Sequence, residues 1–344
     1  MTSRIRLALV GAGIFARDVH LPALQVLNDT FEIVAVYSRS QANAAAVAGQ
    51  LPGQVEATSD LPALLTRPDI EAVDIILPIE VMPPVVERAL RSGKHVLSEK
   101  PIAPDVATGQ RLLDLYRQNS GQIWVVGENW RYEEAFERAA AIIHGGEIGR
   151  PLLCHWVVYN PINPDNKYYA TPWRRSGNFP GGFLLDVGVH HIAVLRWLLG
   201  EISQVSAVTR QIRADLPPAD VLSATLQFES GLTGVYLATY AVNAPWPPVL
   251  HITGEKGSLR VHRQDLEVTS GGVTRTIVIT PHQGVKAELA AFASAIRRGE
   301  THRCTPGQAL QDVAVIEAML RSAETGCQVA PEQIRGSRDE NVRL

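Results

Sequence analysis

The feature that most constrains this chain is a glycine turn that follows a short apolar run near the amino terminus. Residues 5–10 read Ile-Arg-Leu-Ala-Leu-Val, and residues 11–16 then have the pattern Gly-x-Gly-x-x-Ala. The first glycine permits a tight turn, the second lets a pyrophosphate approach backbone N–H groups, and the small third residue keeps helix and strand close. Glycine turns also merely join elements, but a strand before and a helix after favour dinucleotide binding. The residues predicted to bind are Gly11, Gly13, Ile14, Phe15 and Ala16.

Apolar runs alternate with helical patterns over the first third of the chain. We expect further strands at 31–37, 73–77, 95–98 and 123–127, and helices up to residue 27 and at 41–51, 84–91 and 105–118. Near-continuous apolar strands that alternate with helices are typical of a doubly wound α/β domain. We therefore predict a Rossmann domain with a mostly parallel sheet over residues 1–126.

Strands joined by short turns dominate beyond residue 127. After a helix at 132–144 we expect strands at 152–159, 205–212, 222–228, 233–240, 250–253, 258–262 and near 274–279, and closing helices at 285–298 and 306–323. The turns at 229–231 and 254–257 are short enough for hairpins. Residues 127–344 are predicted to be an α+β domain with a large, mostly antiparallel open sheet. An exposed face on such a sheet usually finds a partner, so we expect a homodimer or homotetramer.

Composition excludes several classes of function. The 344 residues carry 32 Lys and Arg against 35 Asp and Glu, a net charge of −3, which provides no field to attract nucleic acid or an anionic membrane. The three cysteines lie far apart without the spacing of metal ligands, so no metal is expected. Neither a signal peptide nor an apolar run long enough to span a bilayer is recognisable, and we expect a cytoplasmic protein.

The end of the second strand indicates which dinucleotide is bound. A site for NAD usually has a carboxylate there, which accepts from the ribose 2′-hydroxyl. This chain instead has Tyr37-Ser38-Arg39-Ser40. The Ser38 hydroxyl and the Arg39 guanidinium suit a 2′-phosphate, although a solvated arginine in a turn is the simpler alternative. We predict NADP, with NAD as the other option.

Two segments carry candidate catalytic groups. Glu99-Lys100-Pro101 follows the strand at 95–98 at its carboxyl end, where ligands of open α/β sheets bind. A lysine beside a nicotinamide can polarise a carbonyl or transfer a proton, whereas an isolated Lys-Pro is usually a surface turn. Glu99 either contacts the cofactor or anchors the loop.

The second segment is an apolar helix predicted over residues 183–199. Asp186 and His190 are four residues apart and share one face, and burial of both is costly unless they are paired or used. Asp186 can orient His190 as a general acid/base, and a satisfied polar pair in the core is the alternative. His191 points about 100° away around the helix and serves as a non-functional comparison.

In these segments, the chain resembles the Gfo/Idh/MocA family of NAD(P)-dependent oxidoreductases. The resemblance covers most of the sequence and is carried by residues 11–16, 93–101, 145–149, 181–190 and 254–257. It implies hydride transfer between nicotinamide C4 and a CH–OH or C=O group of a sugar, cyclitol or related small polyol. It also implies that Lys100 is the catalytic lysine and that Asp186 and His190 are the acid/base pair.

The resemblance extends to the rest of the site. Cofactor contacts are expected from Pro78, Glu99 and Lys100 besides the glycine turn. The residues expected to contact substrate are Lys100, Trp130, Arg131, Tyr159, Trp173, Arg174, Asp186 and His190. Aromatic faces and arginines suit a sugar ring, although packing is an equally good explanation for them. Two departures stand out, since Ala193 replaces a frequent acidic residue and Phe183 a frequent glycine.

A non-catalytic dinucleotide-binding sensor with the same fold is the alternative function. Family members of that kind bind a dinucleotide and a partner protein without turnover. The discriminating feature is the catalytic set, and Lys100, Asp186 and His190 are all present in this sequence. The sequence therefore favours an enzyme, a dehydrogenase that acts on CH–OH donors.

Overall fold

The first six strands of the chain form one parallel sheet. They are β1 (Ile5–Val10), β2 (Phe31–Tyr37), β3 (Glu56–Thr58), β4 (Ala72–Ile75), β5 (His95–Glu99) and β6 (Trp124–Gly127). Their order across the sheet is β3-β2-β1-β4-β5-β6, so the predicted Rossmann topology is confirmed. The order reverses between β1 and β4, and the glycine turn follows β1 at this switch point. The short edge strand β3 was not predicted.

Ten α-helices are described in the structure, a computed structural model that covers residues 3–118, 121–280 and 283–335. They are α1 (Leu21–Val26), α2 (Gln41–Ala48), α3 (Leu61–Thr66), α4 (Met82–Arg91), α5 (Val106–Gln118), α6 (Glu134–His144), α7 (Phe183–Asp186), α8 (Gly188–Leu199), α9 (Gly284–Arg298) and α10 (Pro306–Thr325). A π-helical turn, Ala16–His20, precedes α1, and 3-10 turns occur at Asn129–Tyr132 and Pro172–Arg175. None of the described helices is long and apolar enough to cross a membrane.

The remaining strands form an eight-stranded sheet. They are β7 (Pro151–Tyr159), β8 (Ile202–Arg210), β9 (Val221–Phe228), β10 (Thr233–Thr239), β11 (Val249–Gly254), β12 (Gly257–Val261), β13 (Asp265–Ser270) and β14 (Val273–Val278). Their order is β14-β13-β12-β11-β7-β10-β9-β8, and β7 with β10 is its parallel pair. Every second residue of β9 is buried, as expected for a sheet with one covered face. The predicted mostly antiparallel sheet is confirmed, including the hairpins β9–β10 and β11–β12.

The single helix predicted over residues 183–199 is wrong in one respect. It is divided at Val187, so that Asp186 ends α7 and Gly188 begins α8. The break occurs where the backbone packs closely, since a Cβ on Gly188 would lie 3.0 Å from Ile316 Cδ1. Apolar residues on every side of a helical segment indicate that the segment is buried. An interruption of one residue does not change that pattern, so the sequence does not reveal it.

The chain forms two compact units that are not contiguous in sequence. The first comprises the described residues up to Asn129 with 285–310 and Arg335, and the second comprises 130–284 and 311–334. The expected boundary at residue 126 thus takes no account of α9, which belongs to the first unit. Arg297 of α9 pairs with Glu71 at 2.6 Å, and a Cβ on Gly109 would meet Leu310 Cδ1 at 2.3 Å. These contacts join residues too distant in sequence for local patterns to reveal.

Candidate functional site

The two glycines of the turn after β1 are required for different reasons. Gly11 has φ +128°, and a Cβ there would lie 2.2 Å from the carbonyl oxygen of Ile76, so the protein's own packing demands glycine. A Cβ on Gly13 would meet no atom within 4 Å. Open space at Gly13, beside a helix start, is the cradle that a pyrophosphate requires and that a side chain would fill. Ile14 and Phe15 open the helix, and Ala16 is fully buried.

The tip of β2 presents polar groups at the position expected for the adenosine ribose. Ser38 Oγ accepts the N–H of Ser40 at 3.3 Å, and Ser40 Oγ accepts the N–H of Asn43 at the start of α2. Ser38 is half-buried and Arg39 is exposed. The turn is therefore ordered by its serines, while the Arg39 guanidinium is accessible to a ligand. After β4, the half-buried Pro78 accepts N–H groups of Val81 and Met82 through its carbonyl.

Lys100 follows the last residue of β5, and its peptide bond to Pro101 is cis. Lys100 is half-buried, whereas Glu99 is buried. Glu99 Oε1 lies 3.0 Å from Nε2 of His20, a residue that is fully buried. This contact supports the interpretation of Glu99 as the anchor of its loop, because its carboxylate is engaged inside the unit.

His190 of the second unit lies in an aromatic cluster. Its ring stacks on Trp130, with 5.0 Å between centroids and 9° between planes. Trp130 also stacks on Phe136 at 5.4 Å, and the guanidinium carbon of Arg263 lies 4.9 Å from its centroid. His190 is half-buried, so its ring is held by packing and still reaches solvent.

His191 differs from its neighbour as expected. It is buried, and its Nδ1 lies 2.7 Å from the hydroxyl of Tyr236. Burial raises the pKa of Tyr236 well above its usual range, so this hydroxyl keeps its proton. The pair is a satisfied polar contact in the core.

Asp186 is held by an arginine that sequence patterns did not pair with it. Arg174 Nε donates to Asp186 Oδ2 at 2.8 Å, and the Asp186 carboxylate is almost fully buried. The Arg174 guanidinium also lies 4.1 Å from the Trp173 ring centroid and 5.0 Å from that of Tyr168. The 3-10 turn Pro172–Arg175 thereby brings Trp173 and Arg174 to the end of α7. Among the residues predicted to contact substrate, Trp173 and Arg174 thus lie beside Asp186, and Trp130 lies beside His190.

One predicted substrate contact needs correction. Arg131 is buried and donates to Asp312 at 3.0 Å, and Asp312 in turn pairs with Arg196, so the Arg131 guanidinium is part of a core ion-pair network. Tyr159, the last residue of β7, is half-buried with its ring centroid 6.5 Å from that of Trp246, and its contact with substrate stays a prediction. Trp156 is the residue of β7 that contacts Trp130 and His191.

One buried cluster in the first unit was missed by sequence analysis. His20, Asp74, Glu99 and Glu288 are buried together, and they lie on four different elements. The available signal was Asp74 in the apolar strand Ala-Val-Asp-Ile, since a buried carboxylate requires a partner. Among the residues that the structure describes, no group of His, Cys, Asp or Glu side chains is arranged to hold a metal ion.

Two family profiles match nearly the whole chain. The NAD-binding Rossmann fold of the GFO/IDH/MocA oxidoreductase family matches residues 5–126. The C-terminal alpha/beta domain of the same oxidoreductase family matches residues 140–330. Both matched segments coincide with the two sheets described above.

Individual relatives agree with these profiles. Dehydrogenase FPY6 of Fusarium mangiferae is 36% identical over 93% of this chain and 96% of its own length. D-xylose 1-dehydrogenase (NADP(+)) 2 of Haloferax volcanii is 29% identical over 92% and 97%. The crystal structure of an oxidoreductase from Thermotoga maritima has a TM-score of 0.90 and 36% identity, covering 95% of this chain and 98% of that one. Relatives with these names support an oxidoreductase with an NAD-binding Rossmann domain.

Proposed function

The chain belongs to the Gfo/Idh/MocA family of oxidoreductases, and we propose that it is a dehydrogenase acting on the CH–OH group of a sugar, cyclitol or related small polyol. The observation that carries the proposal is the arrangement at α7 and α8. Asp186 is buried against Arg174, and His190 is half-buried on Trp130. A carboxylate and an imidazole held in this way are suited to acid/base chemistry rather than to packing alone.

The first unit provides the residues that would hold the cofactor. Backbone N–H groups from Gly11 to Ala16 would bind the pyrophosphate, and open space at Gly13 supports this. Ser38 and Arg39 would bind a 2′-phosphate, so we propose NADP in preference to NAD. The NADP(+)-dependent D-xylose dehydrogenase supports that choice. Pro78 and Lys100 complete the proposed cofactor contacts, and Glu99 anchors the loop that carries Lys100. When bound, the nicotinamide accepts or returns hydride at C4.

Residues of this chain would transfer the proton and stabilise the charge that develops during the reaction. In the oxidative direction His190 takes the proton of the substrate hydroxyl, and Asp186 holds the orientation and tautomer of the imidazole. Lys100 stabilises the negative charge that develops on the substrate oxygen, an effect that grows where water is excluded. In the reductive direction the same groups return the proton.

A polyol substrate is supported by the side chains around Asp186. Trp173 and Arg174 stack on each other within 4.1 Å, and both belong to the turn that precedes α7. Flat aromatic faces contact the C–H faces of sugar rings, and arginine donates to hydroxyl oxygens. The D-xylose relative again supports this class. Ala193 is fully buried, so it offers no acidic group in place of the frequent family residue.

We also propose that the large sheet mediates a homodimer or homotetramer. Several large apolar side chains of its strands are exposed: Leu152, Leu153, Val208, Val235, Val273 and Val278. Exposed apolar patches on a sheet commonly mark an association surface. Light scattering coupled to size-exclusion chromatography would measure the mass, and a monomer at all protein concentrations would contradict this assignment.

The proposed activity is tested by following the near-ultraviolet absorbance of the reduced nicotinamide. A panel of aldoses and cyclitols is presented with NADP and with NAD in parallel. We expect turnover with at least one polyol and faster turnover with NADP. Dinucleotide binding by calorimetry without turnover of any polyol would contradict the proposal and favour the non-catalytic sensor.

A further inference from the structure

His20 is a fully buried histidine whose two ring nitrogens both meet carboxylates. Nδ1 lies 2.8 Å from Asp74 Oδ2, and Nε2 lies 3.0 Å from Glu99 Oε1. Neither Asp74 nor Glu99 is more than 7% exposed. An ionised carboxylate only accepts hydrogen bonds, so both ring nitrogens must carry hydrogen if both acids are charged. The geometry is that of an imidazolium shared between two carboxylates.

The electrostatics of the cluster agree with that assignment. Burial by itself lowers the pKa of His20, but the charges and hydrogen bonds of Asp74 and Glu99 outweigh it and leave the pKa well above its ordinary value. Glu288 of α9 faces the same cluster. Burial and the neighbouring charge of Glu99 raise the pKa of Glu288 well above its usual range; Glu128 and Asp74 add to this and His20 opposes it. Both shifts favour the protonated form, of the His20 ring and of the Glu288 carboxyl group.

The Glu99 carboxylate packs closely against β6. A Cβ on Gly127, the residue of β6 that pairs with Glu99, would lie 3.1 Å from Glu99 Oε1 and 3.5 Å from Glu288 Oε1. Neither carboxyl oxygen of Glu288 has a hydrogen-bond partner among the described residues. Glu99 is thus confined by β6 and α9, and His20 is the cation that holds its charge.

His20 also occupies a special place in the chain. It is the last residue of the π-helical turn that continues from the glycine turn. π-helical turns inside helices are rare and occur often at functional sites, because the extra residue per turn redirects a side chain. Here the redirected side chain connects the helix of the glycine turn to the end of β5, which Lys100 follows.

We propose that His20 is a positioning residue, an imidazolium that ties Glu99 to Asp74 and so holds the segment carrying Lys100 in place. It acts through Glu99 and does not itself touch substrate or cofactor. The kinetic part of this inference rests on the function proposed above, because it takes the role of Lys100 from there. Removal of His20 would leave two buried carboxylates without their cation, and the Glu99 side chain would then move.

The charge state of His20 is tested by magnetic resonance on protein with isotope-labelled histidine. His20→Gln identifies the signal of His20 by its disappearance. We expect both ring nitrogens to stay protonated between about pH 6 and pH 8, where an ordinary histidine loses its proton. A neutral ring at the upper end of that range would overturn the proposal, whatever the enzyme's substrate is.

Positioning is tested with His20→Gln and with His95→Gln as the matched control. His95 begins the same strand, β5, and accepts the Ile123 N–H through Nδ1. For His20→Gln we expect kcat to fall about tenfold to a hundredfold, the cost of a small misplacement of a catalytic group. Cofactor affinity should fall by a smaller factor than kcat, since the proposed pyrophosphate contacts at Gly11 and Gly13 are intact. His95→Gln should retain kcat.

Amide exchange separates a failure of this inference from a failure of the proposed function. In His20→Gln, peptides covering residues 97–102 should exchange faster, while peptides of β1 and β6 remain unchanged. Uniformly faster exchange would show a general loss of stability and contradict positioning, as would unchanged kcat in folded His20→Gln. If the wild-type chain turned over no polyol, the resonance and exchange results would still decide whether His20 holds Glu99.

Discussion

The imidazole of His190 stacks face to face on the indole of Trp130, with 5.0 Å between ring centroids and 9° between ring planes. The contact fixes the ring plane of the proposed acid/base, and a stacked pair of this kind contributes about 1 kcal/mol. Trp130→Leu should therefore lower kcat about fivefold or more, whereas Trp130→Phe keeps a stacking surface and should lose less. Steady-state kinetics would measure both.

The matched control for Trp130 is Phe136→Leu. Phe136 stacks on Trp130 at 5.4 Å, so this variant loses packing in the cluster while Trp130 and His190 both remain. It should lower the melting temperature and keep kcat. An equal loss of kcat in Phe136→Leu and Trp130→Leu would mean that the cluster supports the fold and not His190 in particular.

Lys100→Met should abolish most turnover and weaken the binding of NADPH by a much smaller factor. The loss should be roughly a hundredfold to a thousandfold in kcat, as for removal of one group that stabilises a developing oxyanion. Fluorescence titration would measure the affinity for NADPH. Lys256→Met is the control, because Lys256 is exposed in the turn between β11 and β12. Turnover that survived Lys100→Met would refute the catalytic assignment.

Arg39→Leu should weaken NADPH binding and spare NADH. A charge-assisted hydrogen bond to a 2′-phosphate contributes about 1.5–3 kcal/mol, so the Kd for NADPH should rise about tenfold to a hundredfold. The Kd for NADH should stay within about twofold, because NADH lacks this phosphate. Calorimetry with both cofactors provides the comparison. An equal loss of affinity for NADPH and NADH would place Arg39 outside the 2′-phosphate site.

Arg174→Gln should impair both stability and turnover. Its Nε donates to the nearly fully buried carboxylate of Asp186, and a buried charge that loses its partner typically costs about 3 kcal/mol. Arg175→Gln is the matched control, since Arg175 donates to the carbonyl of Tyr169 instead. Denaturant unfolding and kcat would be measured on both. Equal behaviour of the two variants would argue against a specific role of Arg174.

Glu288→Gln should reduce the pH dependence of stability. The pKa of Glu288 is raised in the folded chain, so above the ordinary glutamate pKa the folded state keeps a proton that the unfolded state releases. The free energy of unfolding then falls with rising pH, by up to about 1.4 kcal/mol per pH unit. The raised pKa of His20 acts in the same direction from the ordinary histidine pKa upward.

Unfolding curves at several pH values would measure the slope of stability against pH for wild type and Glu288→Gln. The variant should have the shallower slope and equal or higher stability at the alkaline end. Glu87→Gln serves as control, because the Glu87 side chain is 44% exposed. Parallel slopes for wild type and Glu288→Gln would show that Glu288 is ionised in the folded chain.

Much of the architecture was predictable because it depends on neighbours in sequence. The apolar run of β1 and the glycines that follow it determine a strand and a turn within twelve residues. In β9, the alternation of apolar and polar residues indicates a sheet with one covered face. Strand β13 was not predicted, although Asp-Leu-Glu-Val-Thr-Ser alternates between polar and apolar residues over its first four positions. The three-residue strand β3 is too short to have a period.

For the candidate site, the sequence indicated residue types but not their contacts. Asp186 and His190 were found because polar groups are costly in an apolar helix. Their observed neighbours, Arg174 and Trp130, were identified as site residues without any indication of which contacts which. Arg131 was assigned to substrate because nothing local reveals Asp312, which is 181 residues away.

What the sequence by itself determined is the dinucleotide fold, its glycine turn and the list of chemical groups, because backbone conformation and burial follow from local periodicity and from glycine. What only the tertiary structure decided is how buried charges are paired. His20 meets Asp74 across 54 residues and Glu99 across 79, and no spacing rule connects them. The physical reason is that a buried charge is stabilised by whichever opposite charge the fold brings within about 3 Å, and that distance is a property of the folded chain.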